Sequence, residues 1–309
     1  MGAMLFRGRP MVAAPCLFVT LSGVSAPGRA AGAPGAEAAA VKRGAYLFAI
    51  AGCAACHTDV KNKGEPLAGG RAIKTPFGTF FGPNITPDRG HGIGGWSDGD
   101  FIRALRDGVA PDGSHYFPVF PYTSYTGMTD ADLRALKAYI FTLPAVARPS
   151  RPHQVDFPFG WRFLQLFWKW LYFDRGPVRP DPSHPAAWNR GAYLARAVAH
   201  CGECHTPRTL LGGPENARLF GGTDDGPDGE PVPNITPDPK TGIGKWAPDE
   251  IADLLEIGML PDGDFVGSLM AEVVESATGK LTAADRAALV IYLRSLPPVR
   301  TKSPAAKPK

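Results

Sequence analysis

The sequence predicts an all-α chain in which one helical unit occurs twice in tandem, the copies joined by a segment rich in proline and aromatic residues. Three observations lead there. Sequence blocks recur in the same order 147 to 150 residues apart. Apolar residues recur at helical spacing near the blocks, and no apolar run alternates with period two over a useful length. The composition suits a loop-rich globular protein: 44% of the 309 residues are hydrophobic and 20% charged, with 37 glycines and 32 prolines. That excludes a disordered polyelectrolyte. A formal charge of +4 lacks the basic bias that nucleic acid as a partner would require.

The chain opens on Arg7 and Arg9, an apolar stretch from Met11 to Val24, and small residues from Ser25 to Ala36. This is the pattern of a cleaved signal peptide, expected over residues 1–30 and too short for a membrane span of about 20 residues. Pro15 and Ala13 argue against lipid attachment at Cys16. Cleavage would leave Cys53, Cys56, Cys201 and Cys204, and would place the mature chain in an oxidising, periplasmic compartment. The repeats are expected over 38–146 and 186–299, with a linker over 147–185 and a polar tail over 300–309.

Arg43-Gly44-Ala45-Tyr46-Leu47 recurs as Arg190-Gly191-Ala192-Tyr193-Leu194, within helices expected around Lys42–Ala51 and Asn189–Ala199. Cys53-Ala54-Ala55-Cys56-His57 recurs as Cys201-Gly202-Glu203-Cys204-His205. Pro83-Asn84-Ile85-Thr86-Pro87-Asp88 recurs as Pro233-Asn234-Ile235-Thr236-Pro237-Asp238. Gly92-Ile93-Gly94 with Trp96 recurs as Gly242-Ile243-Gly244 with Trp246. A helix should open at Ser97 or Pro248, with acids in its first turn, and stop near Gly108 or Gly258. A last helix should open at Thr129 or Thr282, each with an acid three residues on, close to a capping box.

Cys-x-x-Cys-His has a mechanical meaning. Two thiols about one helical turn apart can form thioethers with the two vinyl groups of one porphyrin, and the adjacent imidazole can reach its iron. A redox dithiol would not need the histidine twice, and zinc would need further ligands. The motifs therefore imply two covalently bound haem c groups, held by Cys53, Cys56, Cys201 and Cys204, with His57 and His205 as proximal ligands. The remaining sequence shows no phosphate loop, paired carboxylates or Ser/His/Asp set for substrate chemistry of its own.

The RGAYL lead-in, both CxxCH motifs, the PNITPD blocks with GIG-x-W, and Phe120-Pro121-Tyr122-Thr123-Ser124-Tyr125 carry a resemblance over nearly the whole mature chain. The chain resembles the cytochrome c subunits of periplasmic, quinone-linked alcohol, gluconate and aldehyde dehydrogenases. The resemblance implies two tandem cytochrome c domains and passage of electrons from a dehydrogenase subunit of flavin, pyrroloquinoline quinone or molybdenum type to quinone or a terminal oxidase. Well-known members carry three haems and often a C-terminal membrane anchor. Two CxxCH motifs and a polar end do not carry those features over.

A distal Met or His usually completes such a site. Met270 stands seven residues after Gly263, where cytochromes c of this type present methionine, and is assigned to the second haem. The same offset in the first repeat falls on Phe120, which cannot ligate iron. Similar members of the family carry methionine either where Phe120 or where Met128 stands, so the resemblance assigns Met128 to the first haem. The alternative is that Met128 packs in the core beside the last helix, leaving His115 or a five-coordinate iron. Asn84, Asn234, Trp96 and Trp246 are expected to wall the haem pockets and bond propionates, or else to serve the turns and core. Arg71 and Arg208 could pair propionates or lie on the surface. His91, His153, His184 and His200 are expected to be structural or exposed. Met259 is expected to pack in the core.

Phe157–Phe173 is the most aromatic stretch, with Trp161, Trp168 and Trp170 interrupted by Arg162 and Lys169. It reads either as a helix packed between the repeats or as a membrane-interface or partner-docking helix. A second function class, an enzyme resembling diheme thiosulfate dehydrogenases or peroxidases, would rest on the missing methionine at Phe120.

Overall fold

A computed structural model describes residues 34–301; the expected signal peptide with Cys16, and the tail beyond Thr301, lie outside them. The first repeat runs α1 (Pro34–Ile50), α2 (Cys53–His57), β1 (Ala72–Thr75), β2 (Gly78–Phe81), α3 (Asp98–Asp107), the single turn α4 (Tyr122–Tyr125) and α5 (Asp130–Ile140). The segment between the repeats holds β3 (Gln154–Val155) and α6 (Leu164–Tyr172). The second repeat runs α7 (Ala186–Tyr193), extended by a π-helical turn over Leu194–Val198, then α8 (Gly202–His205), α9 (Pro248–Ile257), α10 (Ser268–Ser276) and α11 (Ala283–Ser295).

The expected helix ends hold up in detail. Ser97 and Asp100 form a reciprocal capping box at the start of α3. Pro248 occupies the first position of α9, where Glu250 accepts the Ala247 N–H at 2.7 Å. Both helices stop at glycines in the left-handed region, Gly108 (φ 61) and Gly258 (φ 79). Helix α1 starts at Pro34 rather than at Lys42, because Glu37-Ala38-Ala39-Ala40 is strongly helix-forming.

The first and last helices of each repeat cross and bury the apolar faces that the sequence displayed. Leu47 and Ile50 meet Leu133, Leu136 and Ile140 in one repeat, and Ala192 and Leu194 join Leu289 and Leu293 in the other. These belong to one continuous buried cluster that spans both repeats, and the chain from Pro34 onward forms a single unit.

The recurring Arg and Tyr of the RGAYL block show how the repeats are fastened. Arg43 bonds Asp132 within its own repeat, and Arg190 bonds Asp285 at 2.8 and 2.6 Å within the other. The tyrosines cross over. Tyr46 donates its hydroxyl to Asp285 at 2.6 Å, and Tyr193 donates to Asp132 at 2.6 Å. Each phenol oxygen also accepts the N–H of the capping threonine, Thr282 or Thr129, at 3.3 and 3.2 Å. The expected capping boxes are therefore half right. Thr129 and Thr282 do accept the N–H three residues on, both at 3.2 Å. Their acids, however, turn to arginine and tyrosine, and the phenol from the opposite repeat supplies the missing half.

The all-α expectation needs one correction. A three-stranded antiparallel sheet, β1-β2-β3, occupies the first repeat and the segment after it. Its strands have four, four and two residues, too few for a period to register. The turn between β1 and β2 is Pro76-Phe77, steadied by Thr75 Oγ1 rather than by an Asn-Gly pair.

The inter-repeat segment is bound along its length. The Arg148 carbonyl accepts Asn84 Nδ2 at 2.9 Å, His153 Nδ1 accepts the Phe81 N–H at 3.1 Å, and Lys169 donates to the Asp107 and Gly108 carbonyls at 2.6 and 2.9 Å. Trp168 Nε1 donates to the Leu211 carbonyl at 2.9 Å, so α6 touches both repeats.

Candidate functional site

Each CxxCH stretch folds as a short helical segment, α2 or α8, immediately after the first helix of its repeat. His57 Nδ1 lies 2.8 Å from the Pro83 carbonyl, and His205 Nδ1 lies 2.7 Å from the Pro233 carbonyl. A carbonyl accepts only, so Nδ1 carries the proton and Nε2 keeps its lone pair. Burial lowers both imidazole pKa values and keeps the rings neutral, against the opposing pull of the proline carbonyls. A neutral imidazole with a fixed tautomer and an unshared pair at Nε2 is what an iron ligand requires.

The residue after each histidine has a role that was not apparent in the sequence. Thr58 Oγ1 accepts the Leu67 N–H at 3.0 Å, and Thr206 Oγ1 accepts the Phe220 N–H at 3.2 Å. The loop is then bonded to the histidine itself, through Gly69 N–H to the His57 carbonyl at 2.8 Å and Gly222 N–H to the His205 carbonyl at 2.7 Å. Thus the PNITPD block is held by its first proline under the imidazole. No residue pattern marks a backbone carbonyl as a partner, so the PNITPD repeat does not by itself show that the Pro83 and Pro233 carbonyls hold the imidazoles.

The thiols do not suit the competing readings. All four are free. Burial, then the paired thiol, pushes Cys53 and Cys201 up to about 12, and burial, then Glu203, pushes Cys204 up to about 11. A redox dithiol needs a depressed pKa. Among the described residues no group of three His, Cys, Asp or Glu side chains converges.

Asn84 and Asn234 are buried and serve the loops. Asn84 Oδ1 accepts the Thr86 N–H and hydroxyl at 2.9 and 2.7 Å, while Nδ2 reaches the Val146 and Arg148 carbonyls at 2.8 and 2.9 Å. Asn234 repeats this with Thr236 at 2.8 and 2.7 Å, and with Thr241 Oγ1 and the Val299 carbonyl at 3.0 and 2.6 Å. Both amide hydrogens of each are engaged by these acceptors, which is the turn role of the two alternatives. Trp96 and Trp246 are half-buried against the core, and among the described residues neither indole N–H has an acceptor.

Of the candidate distal ligands, Met128 is fully buried in the core cluster, its carbonyl fixed by Arg106 Nη2 at 2.8 Å. Met270 is half-buried in the first turn of α10. His115 is engaged elsewhere: its Nδ1 lies 2.8 Å from Lys169 Nζ, and its carbonyl accepts Arg162 Nη1 at 2.8 Å. Phe120 stacks edge-on against Tyr116 at 5.4 Å. Met259 and Val109 form equivalent backbone bridges, to Phe265 and His115.

The two centres adjoin, which the sequence did not disclose. His200 Nε2 lies 3.2 Å from the Ala51 carbonyl, and its ring meets Tyr125 edge-on at 5.5 Å. Tyr125 in turn donates to the same carbonyl at 3.3 Å. Glu203, between the second pair of cysteines, accepts the hydroxyls of Thr123 and Ser124 at 2.7 and 2.6 Å and pairs with Arg208 at 2.7 Å. Burial works to raise its pKa, but Arg208 and the two hydroxyls outweigh it and hold the carboxylate ionised. The FPYTSY stretch of one repeat thus grips the CxxCH of the other. Arg71 pairs with Glu272 of α10 at 2.8 Å, on the other side of the first motif. Of the remaining histidines, His91 sits by Asp88, and His184 stacks on Trp188.

A family model for cytochrome c matches residues 41–144, the first repeat. A protein named diheme cytochrome c-type from Cereibacter sphaeroides is 39% identical over 306 residues, covering 96% of this chain and 93% of that protein. The fructose dehydrogenase cytochrome subunit of Gluconobacter japonicus is 42% identical, covering 83% of this chain but only 52% of its own length. The gluconate 2-dehydrogenase cytochrome c subunit of Pantoea cypripedii is 36% identical over 84% of this chain and 60% of its own.

Proposed function

The chain belongs to the cytochrome c family, and on that premise we propose that it is a periplasmic diheme electron carrier serving a dehydrogenase. It takes electrons from a partner catalytic subunit of flavin, pyrroloquinoline quinone or molybdenum type and passes them to quinone or a terminal oxidase. The observation that carries this reading is the duplicated histidine geometry, an Nδ1 proton directed at a proline carbonyl in both repeats. Bound haem c supplies one-electron chemistry at its iron. The chain's own residues do the rest: Cys53 and Cys56, or Cys201 and Cys204, anchor the group, and His57 or His205 presents Nε2 to the metal.

Met270 and Met128 are the distal donors in this reading. The engagement of His115 with Lys169 favours Met128 over it. Met270→Ala and Met128→Ala should each abolish the thioether-to-iron charge-transfer band of one haem. If the band of the first haem survives Met128→Ala, that assignment is wrong.

Two measurements test the function. Alkaline pyridine spectra and intact mass should give two haems per chain, and Cys201→Ser with Cys204→Ser should leave one. The native protein should co-purify with a dehydrogenase subunit and be reduced by it when that subunit's substrate is added. Turnover of thiosulfate or peroxide by the chain alone would instead make it an enzyme.

A further inference from the structure

Residues 157–173 remain unabsorbed by this reading. The helix α6 and the turn before it have two unlike sides. Inward, Gln165 and Trp168 are buried, and Lys169 reaches the Asp107 and Gly108 carbonyls and His115. Arg162 also turns in, to the His115 carbonyl and over the Phe117 ring at 4.9 Å. Both cations that interrupt the aromatic run in sequence are therefore withdrawn from the outer side.

Outward, Phe163, Leu166, Phe167, Trp170 and Leu171 follow the three-four spacing of a single helix face. They are 55, 52, 63, 83 and 52% exposed, and Phe157 and Trp161 extend the face at 80 and 50%. Leu210 and Leu211 border it, since the Leu211 carbonyl holds Trp168 Nε1. No charged side chain divides these residues, and a contiguous apolar face of this kind marks an interaction surface.

Its surroundings select the occupant. Residues 148–180 contain Arg148, Arg151, Arg162, Lys169, Arg175 and Arg179 against Asp156 and Asp174, a net +4 that equals the charge of the entire chain. Arg148, Arg151, Arg175 and Arg179 are exposed, Arg151 lying over the Phe81 ring and Arg175 pairing with Asp107. An uncharged, tryptophan-bearing ridge carried by a net cationic segment matches the boundary between acyl chains and anionic headgroups. Among the described residues no helix is long and apolar enough to cross a membrane, so the contact is one of surface. We propose that residues 157–171 dock the protein on an anionic lipid bilayer, with Trp161 and Trp170 at the headgroup level.

The test uses the purified full-length holoprotein and vesicles of phosphatidylcholine with 30% phosphatidylglycerol, compared with phosphatidylcholine alone. Flotation should recover about tenfold more protein with the anionic vesicles, fading with salt, and tryptophan emission should move to shorter wavelength. Phe167→Ser with Trp170→Ser removes two exposed side chains and should cut binding about tenfold while haem content and melting stay unchanged. The proposal is overturned if wild type ignores anionic vesicles, or if the double variant binds them as well as wild type. It is also overturned if the variant instead loses a dehydrogenase partner or a self-associated form, since a protein then covers the face. Haem stoichiometry is independent of all these outcomes.

Discussion

Gly191→Ala is expected to lower the stability of the holoprotein by about 3 kcal/mol, at the upper end of overpacking costs, and its melting temperature by roughly 10 °C. A Cβ at that position would stand 2.0 Å from the Ala288 carbonyl oxygen and 2.7 Å from Tyr292 Cβ. The obstacle is backbone, so no side chain can swing aside and α11 itself must retreat from α7. Gly44→Ala should behave alike, with 1.9 Å to the Ala135 carbonyl oxygen and 2.8 Å to Tyr139 Cβ. Gly95→Ala is the control, since nothing lies within 4 Å of its added carbon. Thermal unfolding followed by circular dichroism would decide. A Gly191→Ala protein that melts with wild type would mean that α7 and α11 do not cross as described.

Asp132→Ala should cost about 2 kcal/mol. The carboxylate is fully buried and receives Arg43 and the Tyr193 hydroxyl. Breaking a buried pair costs roughly 3–5 kcal/mol, but the Arg43 side chain is 55% exposed, so solvent screens part of the interaction. Tyr193→Phe should recover only the portion owed to the crossed phenol. The equivalent site adds a pH signature. Burial tends to raise the Asp285 pKa, yet Arg190 and Tyr46 outweigh it and hold the carboxyl below its usual range. A depressed carboxyl contributes stability that is complete above its unfolded value of about 4 and is lost as pH falls through the lower folded value. Melting temperature should therefore fall below about pH 4 in wild type. Asp285→Asn should start lower and show a flatter acid limb; an unchanged limb would remove Asp285 from the account.

Much of this was legible in the residues because it is local. Ser97 and Asp100, Gly108 and Gly258, and the cysteine spacing act within a turn of their own positions. The repeat itself revealed that whatever the first copy builds, the second builds again. What stayed hidden is of two physical kinds. Backbone acceptors such as the Pro83 and Pro233 carbonyls leave no side-chain signature. Contacts between distant residues, such as Glu203 with Thr123 and Ser124, depend on how the repeats lie against each other. At Asn84 and Asn234 the residue type alone left a haem-pocket role and a turn role open, and the loop's carbonyls, which take the amide hydrogens, favour the turn role. The short sheet escaped because strands of two to four residues offer no period to count.

The crossed tyrosines have one more consequence. Tyr46 and Tyr193 make each copy complete the helix start of its sibling, so the duplicated halves are mutual guarantors rather than beads on a string. Losing the phenol of either RGAYL block therefore unseats a helix start in the opposite repeat.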